Sequence, residues 1–185
     1  MKTPDLLYAV VSDIHGNYPA LQQVDADARA QAQRLGCELR FICLGDVVDY
    51  GPFPNECMDW VVQTGPHITL QGNHDAEAIR PPLAETKRVG MQWFPITYWT
   101  RCTLAATHRL VVEQWRGTAT GNNGLGEFLF FHGDPTGGDD YIRECSAAKR
   151  YFPYLHSGRR YGLFGHTHFQ TLFVKDATVV GCDGR

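Results

Sequence analysis

The sequence lacks a hydrophobic run long enough to cross a membrane. Its apolar start, LLYAVV, continues directly into polar residues, and no small-residue cleavage site of a signal peptide follows it. A membrane-spanning helix needs about 20 consecutive apolar residues. We therefore expect a cytoplasmic protein that makes no contact with a membrane.

Blocks of charge of one sign are also absent. The 17 basic and 20 acidic residues are dispersed along the chain, and the formal net charge is -3. Proteins that bind nucleic acids present a basic face or stripe. Nucleic acid is therefore not an expected partner.

No pair of cysteines has the C-x-x-C spacing of a zinc or redox site. The six cysteines are scattered, and several lie in apolar segments such as RFICLG and VVGC. A free cysteine in such a segment behaves as a small hydrophobic residue. We expect reduced thiols that pack in the core.

The apolar segments that are present alternate with helical patterns. Five strand-like runs, LLYAVV, RFICL, HITLQ, EFLFF and YGLF, are each followed by Gly together with Asp, His or Asn. The helix-like segments PALQQVDADARAQAQRLG and ECMDWVVQTG separate the first three runs, and Asn55 is the expected N-cap of the second helix. Such alternation predicts an α/β fold with a largely parallel sheet, here as a single domain over residues 1–185.

The second half of the chain has a different pattern. TATGNNGLGEFLFF and TLFVKDATVVG predict hairpins, and ATHRLVVEQW and DYIRECSAAKRYF predict helices. These elements predict a second sheet that is more antiparallel than the first.

The polar clusters that follow the five strands are expected to meet. Ligands of open α/β sheets bind beyond the carboxyl ends of the strands. Each polar residue could serve only a local turn or helix cap, but five such turns at one edge favour a shared site. The clustered residues are Asp13, His15, Asp46, Asp49, Asn73, His74, Asp75, His132, His166 and His168.

These side chains are typical of a metal site. Imidazole, carboxylate and amide oxygen without thiolate suit divalent Mn, Fe, Zn, Ni or Mg. These residues offer more ligands than one catalytic ion that keeps an open position can use, so two metal ions are implied. A metal pair about 3.5 to 4 Å apart suits phosphoester hydrolysis, because it neutralises the charge on the reacting oxygens.

Five motifs occur in order along the chain. They are D-x-H at 13 and 15, G-D-x-x-D at 45 to 49, G-N-H-D at 72 to 75, H-G at 132 and 133, and G-H-T-H at 165 to 168. This ordered set resembles the calcineurin-like metallophosphoesterase superfamily. GDVVDYGPFPNEC and GHTHFQ look most like its single-domain bacterial phosphodiesterase group. The resemblance implies a four-layer α/β/β/α sandwich of two mixed sheets flanked by helices.

The resemblance also implies a role for each motif residue. One metal ion would be held by Asp13, His15 and His168, the other by Asn73, His132 and His166, and Asp46 would bridge them. His74 would protonate the leaving oxygen or stabilise the transition state, and Asp75 would orient His74. Two interpretations of Asp49 stay open: a contact to a metal ligand, or a plain loop carboxylate.

Two departures from the superfamily pattern carry information. Tyr50 follows G-D-x-x-D, where protein Ser/Thr phosphatases have a phosphate-clamping arginine, so a protein phosphatase is disfavoured. Tyr50 instead suggests an aromatic rim at the site, or surface packing alone. The chain also ends soon after G-H-T-H, so the second sheet would be short of its C-terminal edge strands, or the chain truncated. An exposed sheet edge would favour a homo-oligomer.

The predicted function follows from these motifs. We expect a dinuclear metal-dependent phosphoesterase that hydrolyses a diester or monoester of a small phosphorylated substrate by attack of a metal-bound hydroxide, with Mn as the first metal expected. The alternatives are a non-catalytic scaffold of the same fold, a protein Ser/Thr phosphatase and a nuclease. Arg80, Arg101 and Arg143 are candidate phosphate contacts that the sequence does not rank.

Overall fold

The first half of the chain forms a parallel sheet. In a computed structural model that describes residues 5–80, 94–120, 125–156 and 158–175, strands β1 (Leu6–Val11), β2 (Glu38–Cys43) and β3 (Ile68–Thr69) lie side by side in that order. Both pairings are parallel. Helices α1 (Tyr18–Leu35) and α2 (Pro54–Thr64) connect the strands. The predicted strand and helix alternation is confirmed.

Local sequence explains where these two helices begin and end. The Asn17 side chain accepts a hydrogen bond from the Ala20 N–H at the start of α1, and Gly36 ends this helix in a left-handed conformation. The prediction that Asn55 caps α2 is wrong. The N-cap is Phe53, and Pro54 is the first helical residue because its fixed φ suits that position. Asn55 instead donates to the Thr103 carbonyl at 3.0 Å.

The second half of the chain forms a mixed sheet. Strands β4 (Thr118–Thr120) and β5 (Phe128–Phe131) pair antiparallel, as the hairpin prediction expected, whereas β6 (Tyr161–Leu163) lies parallel to β5. Helix α6 (Cys145–Tyr151) is shorter than predicted and continues into a 3-10 turn at Phe152–Tyr154. The predicted closing hairpin lies largely outside the described residues.

Three further helices lie between β3 and β4 along the chain. Helices α3 (Asn73–Ile79) and α4 (Phe94–Thr103) were not expected from the sequence, whereas α5 (Ala106–Val112) was. None of the helices in the described part of the chain is long and apolar enough to span a bilayer.

Successive residues of β2, and likewise of β5, face different clusters of the core. Phe41 of β2 packs in a cluster with residues of α1 and α2, whereas Ile42 points into a cluster shared with Phe130 of β5. The neighbours of Phe130 on β5, including Leu129, pack in a third cluster with residues of α6. Because successive strand residues face opposite sides, this pattern builds two sheets packed face to face with helices outside. The four-layer arrangement of two sheets flanked by helices is thus the observed fold.

Candidate metal centre

Loops at the carboxyl ends of five strands carry all seven predicted ligands. The loop after β1 continues to pair with the loop after β2, since His15 N–H donates to the Asp46 carbonyl at 2.9 Å. Tertiary packing brings the later loops to the same edge: Asn73 Oδ1 lies 3.2 Å from His132 Nε2, and His15 Nε2 lies 3.1 Å from His168 Nε2. The structure therefore brings the whole predicted set together.

The ligands fall into two groups. Asp13, His15 and His168 form one, and Asp46, His132 and His166 form the other. Within each group the candidate ligand atoms lie within 4.8 Å of one another, which is close enough for one ion to contact all three. Asn73 adjoins the second group through His132.

Asp46 connects the two groups. Its Oδ2 lies 3.7 Å from His15 Nε2 in the first group and 3.0 Å from His132 Nε2 in the second. This oxygen is buried and accepts no hydrogen bond from the described residues, despite these short contacts. A buried carboxylate oxygen needs an opposite charge, which the protonated His132 beside it supplies and which a divalent cation between the groups would supply in its place.

Hydrogen bonds to the far side of each ring prepare three histidines to bind metal. The Nδ1 atoms of His15 and His132 contact the carbonyls of Val48 and Leu44 at 3.3 and 2.8 Å, and His166 Nε2 contacts the Asp139 carbonyl at 3.0 Å. A carbonyl can only accept, so the contacting nitrogen carries the proton. In the neutral ring the other nitrogen then keeps its lone pair for a cation.

Burial and neighbouring charges shift the pKa values of the site histidines in different directions. Burial lowers the pKa of His15 and of His166, and a neighbouring imidazolium adds to each shift. At His132 burial acts in the same direction, but the Asp46 carboxylate outweighs it and raises the pKa to about 9. Two ligands are therefore neutral at pH 7, whereas His132 holds a proton that a cation would displace.

The backbone of the site is unusual. Seven non-glycine residues of the described chain have φ between 49° and 74°, in the left-handed region: Asp13, His15, Asp46, Asp49, Tyr50, His166 and His168. Each such residue costs on the order of 1 kcal/mol or more, and strain of this kind collects at functional sites. Asp and His tolerate the conformation better than most residues, which suits a site built from them.

Glycines in the motifs allow loops to pass very close together. A Cβ atom at Gly72 would overlap Asp46 Oδ1, and one at Gly165 would overlap Ser12 Oγ. The glycine of G-N-H-D thus lets the loop after β3 approach the Asp46 carboxylate. The glycine of G-H-T-H lets the loop after β6 approach the loop after β1.

Residues 6–170 match the sequence profile of the calcineurin-like phosphoesterases. The chain belongs to the calcineurin-like phosphoesterase family. Members of this family use divalent metal ions, and the two ligand groups are the residues of this chain that could hold them.

Individual relatives agree with this assignment. A metallophosphoesterase of Sphaerobacter thermophilus has 29% sequence identity and a TM-score of 0.70 over 88% of this chain and 60% of its own. The hypothetical protein PH1004 of Pyrococcus horikoshii shares the fold, with 16% identity and a TM-score of 0.74 over 89% of this chain and 70% of its own. The uncharacterized protein MJ0912 of Methanocaldococcus jannaschii is 38% identical over 69 residues, or 37% of this chain and 26% of its own. The chain thus spans only part of the length of these relatives.

In this member of the family, His74 is held by Asp49 and not by Asp75. His74 Nδ1 lies 2.8 Å from Asp49 Oδ2, and Asp49 is also bound by the hydroxyls of Thr97 and Thr100 at 2.8 and 3.2 Å. Burial alone would lower the pKa of His74, but the carboxylates, Asp49 first, raise it. The partner of Asp49 is thus the predicted catalytic histidine, which neither interpretation of Asp49 named.

The Asp75 carboxylate serves the backbone. It accepts hydrogen bonds from the N–H groups of Asp46, Val47, Val48 and Gly72 at 2.8 to 3.1 Å. The expected contact with His74 is corrected, because adjacent residues of helix α3 point to different sides. Asp75 therefore fixes the loop that carries Asp46.

Aromatic rings line the opening of the site. The Tyr50 ring centroid lies 4.6 Å from that of His15 and 4.5 Å from that of His74, so the predicted aromatic rim is present. Tyr141 stacks on His166 with 4.1 Å between ring centroids. No motif marks Tyr141, Thr97 or Thr100, and sequence analysis missed all three.

Proposed function

We propose that this calcineurin-like phosphoesterase is a dinuclear enzyme that hydrolyses a diester or monoester of a small phosphorylated substrate. The observation that carries the proposal is the Asp46 carboxylate. Its buried Oδ2 lies between two ligand groups, so one carboxylate can serve both. This arrangement favours a metal pair over a single ion.

The residues of the two groups would hold the ions as the motifs predict. Asp13, His15 and His168 suit one ion, Asn73, His132 and His166 suit the other, and Asp46 suits both. Mn is the first metal we expect, and Fe, Zn, Ni and Mg fit the same ligands. When bound, such cations neutralise charge on phosphoryl oxygens and lower the pKa of bound water.

His74 is placed to deliver a proton. Its Nδ1 donates to the Asp49 carboxylate, which leaves Nε2 as the nitrogen free to face a substrate. The ring is partly exposed, with 18% of the side chain accessible, and its pKa is raised by Asp49. A protonated imidazole so oriented can protonate a leaving oxygen. Asp75 contributes through the loop that it fixes.

The test compares three variants of the purified protein. Metal ions per chain are counted without chelator, and bis-p-nitrophenyl phosphate and p-nitrophenyl phosphate are assayed with added Mn. Asp46→Asn should lose both metal and activity. His74→Ala should keep its metal and lose about 100-fold or more of its activity. The matched control is Asp59→Asn, whose carboxylate is 57% exposed and, among the described residues, pairs with His108.

The outcomes separate the alternatives. About two ions per chain and His74-dependent hydrolysis would support the enzyme. Bound metal without turnover of either ester would instead support the non-catalytic scaffold, and full activity in both site variants would overturn the proposal.

A cytoplasmic location and a homo-oligomer both stay predictions. Strand β1 is an edge strand of the described part of the first sheet and exposes Leu6 and Val10. An unpaired edge with apolar side chains suits pairing with a second copy, which sedimentation analysis would detect.

A further inference from the structure

Three arginines are candidates for binding phosphate, and the structure ranks them. Arg101 donates to the Glu77 carboxylate at 2.8 Å and to the Glu77 carbonyl at 2.6 Å, and Arg80 pairs with the same carboxylate. Arg143 differs. Among the described residues, no carboxylate lies within ion-pair distance of its guanidinium. Arg143 is therefore the candidate whose charge no carboxylate in the described part of the chain neutralises.

Arg143 is fixed beside the ligands of both groups. Its guanidinium contacts the carbonyl of Thr167 at 3.5 Å, and Thr167 lies between the two histidines of G-H-T-H. The guanidinium carbon lies 4.4 Å from the Tyr141 ring centroid and 5.3 Å from that of Phe169. Since Tyr141 itself stacks on His166, a continuous set of contacts links Arg143 to the metal centre.

The two ring contacts leave the N–H groups of Arg143 that do not donate to Thr167 available for an anion. Aromatic rings engage the face of a guanidinium, whereas phosphate oxygens bind the N–H groups at its edge. A side chain that is already held loses less conformational freedom when it binds an anion. Tyr50, whose ring lies against His15 and His74, supplies no positive charge.

We propose that Arg143 binds a phosphate group of the substrate through its guanidinium edge. The inference rests on the proposed function and deepens it: the preferred substrate presents a phosphate oxyanion to Arg143 as well as to the metal centre. The oxyanion belongs either to the phosphate that reacts or to a second phosphate bonded next to it. Arg143 then sets substrate affinity and specificity.

The test uses the metal-loaded protein and two substitutions. Arg143→Ala removes the cation, and Arg143→Lys keeps the charge without the fork of N–H groups. The control is Arg160→Ala, because Arg160 also lies over a tyrosine ring, 5.5 Å from the Tyr161 centroid, but precedes β6 at its other end. Binding of inorganic phosphate and of pyrophosphate is measured by calorimetry, together with KM, kcat and metal content.

Arg143→Ala should weaken phosphate or pyrophosphate binding about tenfold and raise KM similarly, with metal content unchanged. Arg143→Lys should recover part of the loss. Weaker binding of both anions assigns Arg143 to the reacting phosphate, and weaker binding of pyrophosphate alone assigns it to a second phosphate. Wild-type affinity for both, or an equal loss in Arg160→Ala, would overturn the inference.

The two proposals fail in different ways. If the wild type hydrolyses no ester but Arg143 still governs anion affinity, the proposed function fails and the inference stands. If hydrolysis is normal and Arg143→Ala binds both anions as the wild type does, only the inference fails.

Discussion

Asp49 Oδ2 accepts a hydrogen bond from His74 Nδ1 at 2.8 Å, at the opening of the metal centre. An ionised carboxylate can only accept, so the ring nitrogen must carry the proton. Asp49 has no exposed surface, and the Thr97 and Thr100 hydroxyls and the Tyr50 N–H also donate to it. The orientation of the His74 ring is thus set by a buried carboxylate 25 residues earlier in the chain.

Replacing this carboxylate should destabilise the metal-free protein in a pH-dependent way. Burial opposes ionisation of Asp49, but His74 lowers its pKa overall, and Asp49 in turn raises the pKa of His74. The Asp49 contribution is lost as pH falls through its folded pKa, below about 3.9, and the His74 contribution as pH rises through its folded pKa, above about 6.5. Asp49→Asn should therefore lower the free energy of unfolding most near pH 5 to 6.

We expect a loss of about 1 to 3 kcal/mol there and a smaller loss at pH 9, measured by urea unfolding in chelator. The exposed Asp59→Asn variant should change the free energy of unfolding by no more than about 0.5 kcal/mol. An equal loss for Asp49→Asn at pH 5.5 and pH 9 would contradict the ion pair.

A single methyl group at Gly72 should disrupt the metal centre. Its Cβ would overlap Asp46 Oδ1 and lie 2.5 Å from the Asp46 backbone nitrogen, so the bridging carboxylate must move. Gly72→Ala should lower metal content and cost about 1 to 3 kcal/mol of stability. Gly126→Ala is the matched control, because a Cβ there has no atom within 4 Å. Metal analysis and thermal unfolding of both variants check this expectation, and normal metal content in Gly72→Ala would refute it.

Metal binding should compete with a proton at His132. The neighbouring Asp46 outweighs burial and raises the pKa of His132 to about 9, so the metal-free ring is protonated at pH 7. A cation must displace that proton, so its apparent affinity should rise up to about tenfold per pH unit between pH 6 and 9. Calorimetry in two buffers of different ionisation enthalpy at pH 7 should detect proton release. Affinity that does not change over this range would argue against a protonated His132.

Thiol reactivity should follow burial. Cys43 and Cys57 have no exposed surface, and burial raises the pKa of each to about 12, whereas Cys102 is exposed. A thiol reagent at pH 8 should modify Cys102 in the folded protein and reach the other two only after unfolding. Mass mapping of the labelled peptides distinguishes the sites. Rapid labelling of Cys43 in the native protein would contradict its place in the core.

The sequence by itself determined the order of elements and the composition of the metal centre. Strand and helix periodicity is local, so β1, α1, β2 and α2 could be read directly. The motif ligands could be read as well, because in an α/β fold polar residues after strands collect at one edge. Helix α4 escaped prediction because much of its stability comes from tertiary contacts, such as the Arg101 bond to Glu77.

Only the tertiary structure decided which neighbours these residues have. Asp75 follows His74 directly in the chain, yet Asp49 holds the ring, because adjacent helical side chains point apart while the loops after β2 and β3 are packed together. The same holds for Arg143, whose place beside the G-H-T-H histidines depends on contacts with residues more than 20 positions away. Residue type and spacing determine what a chain can bind, whereas packing between distant segments determines which side chains orient and complete the site.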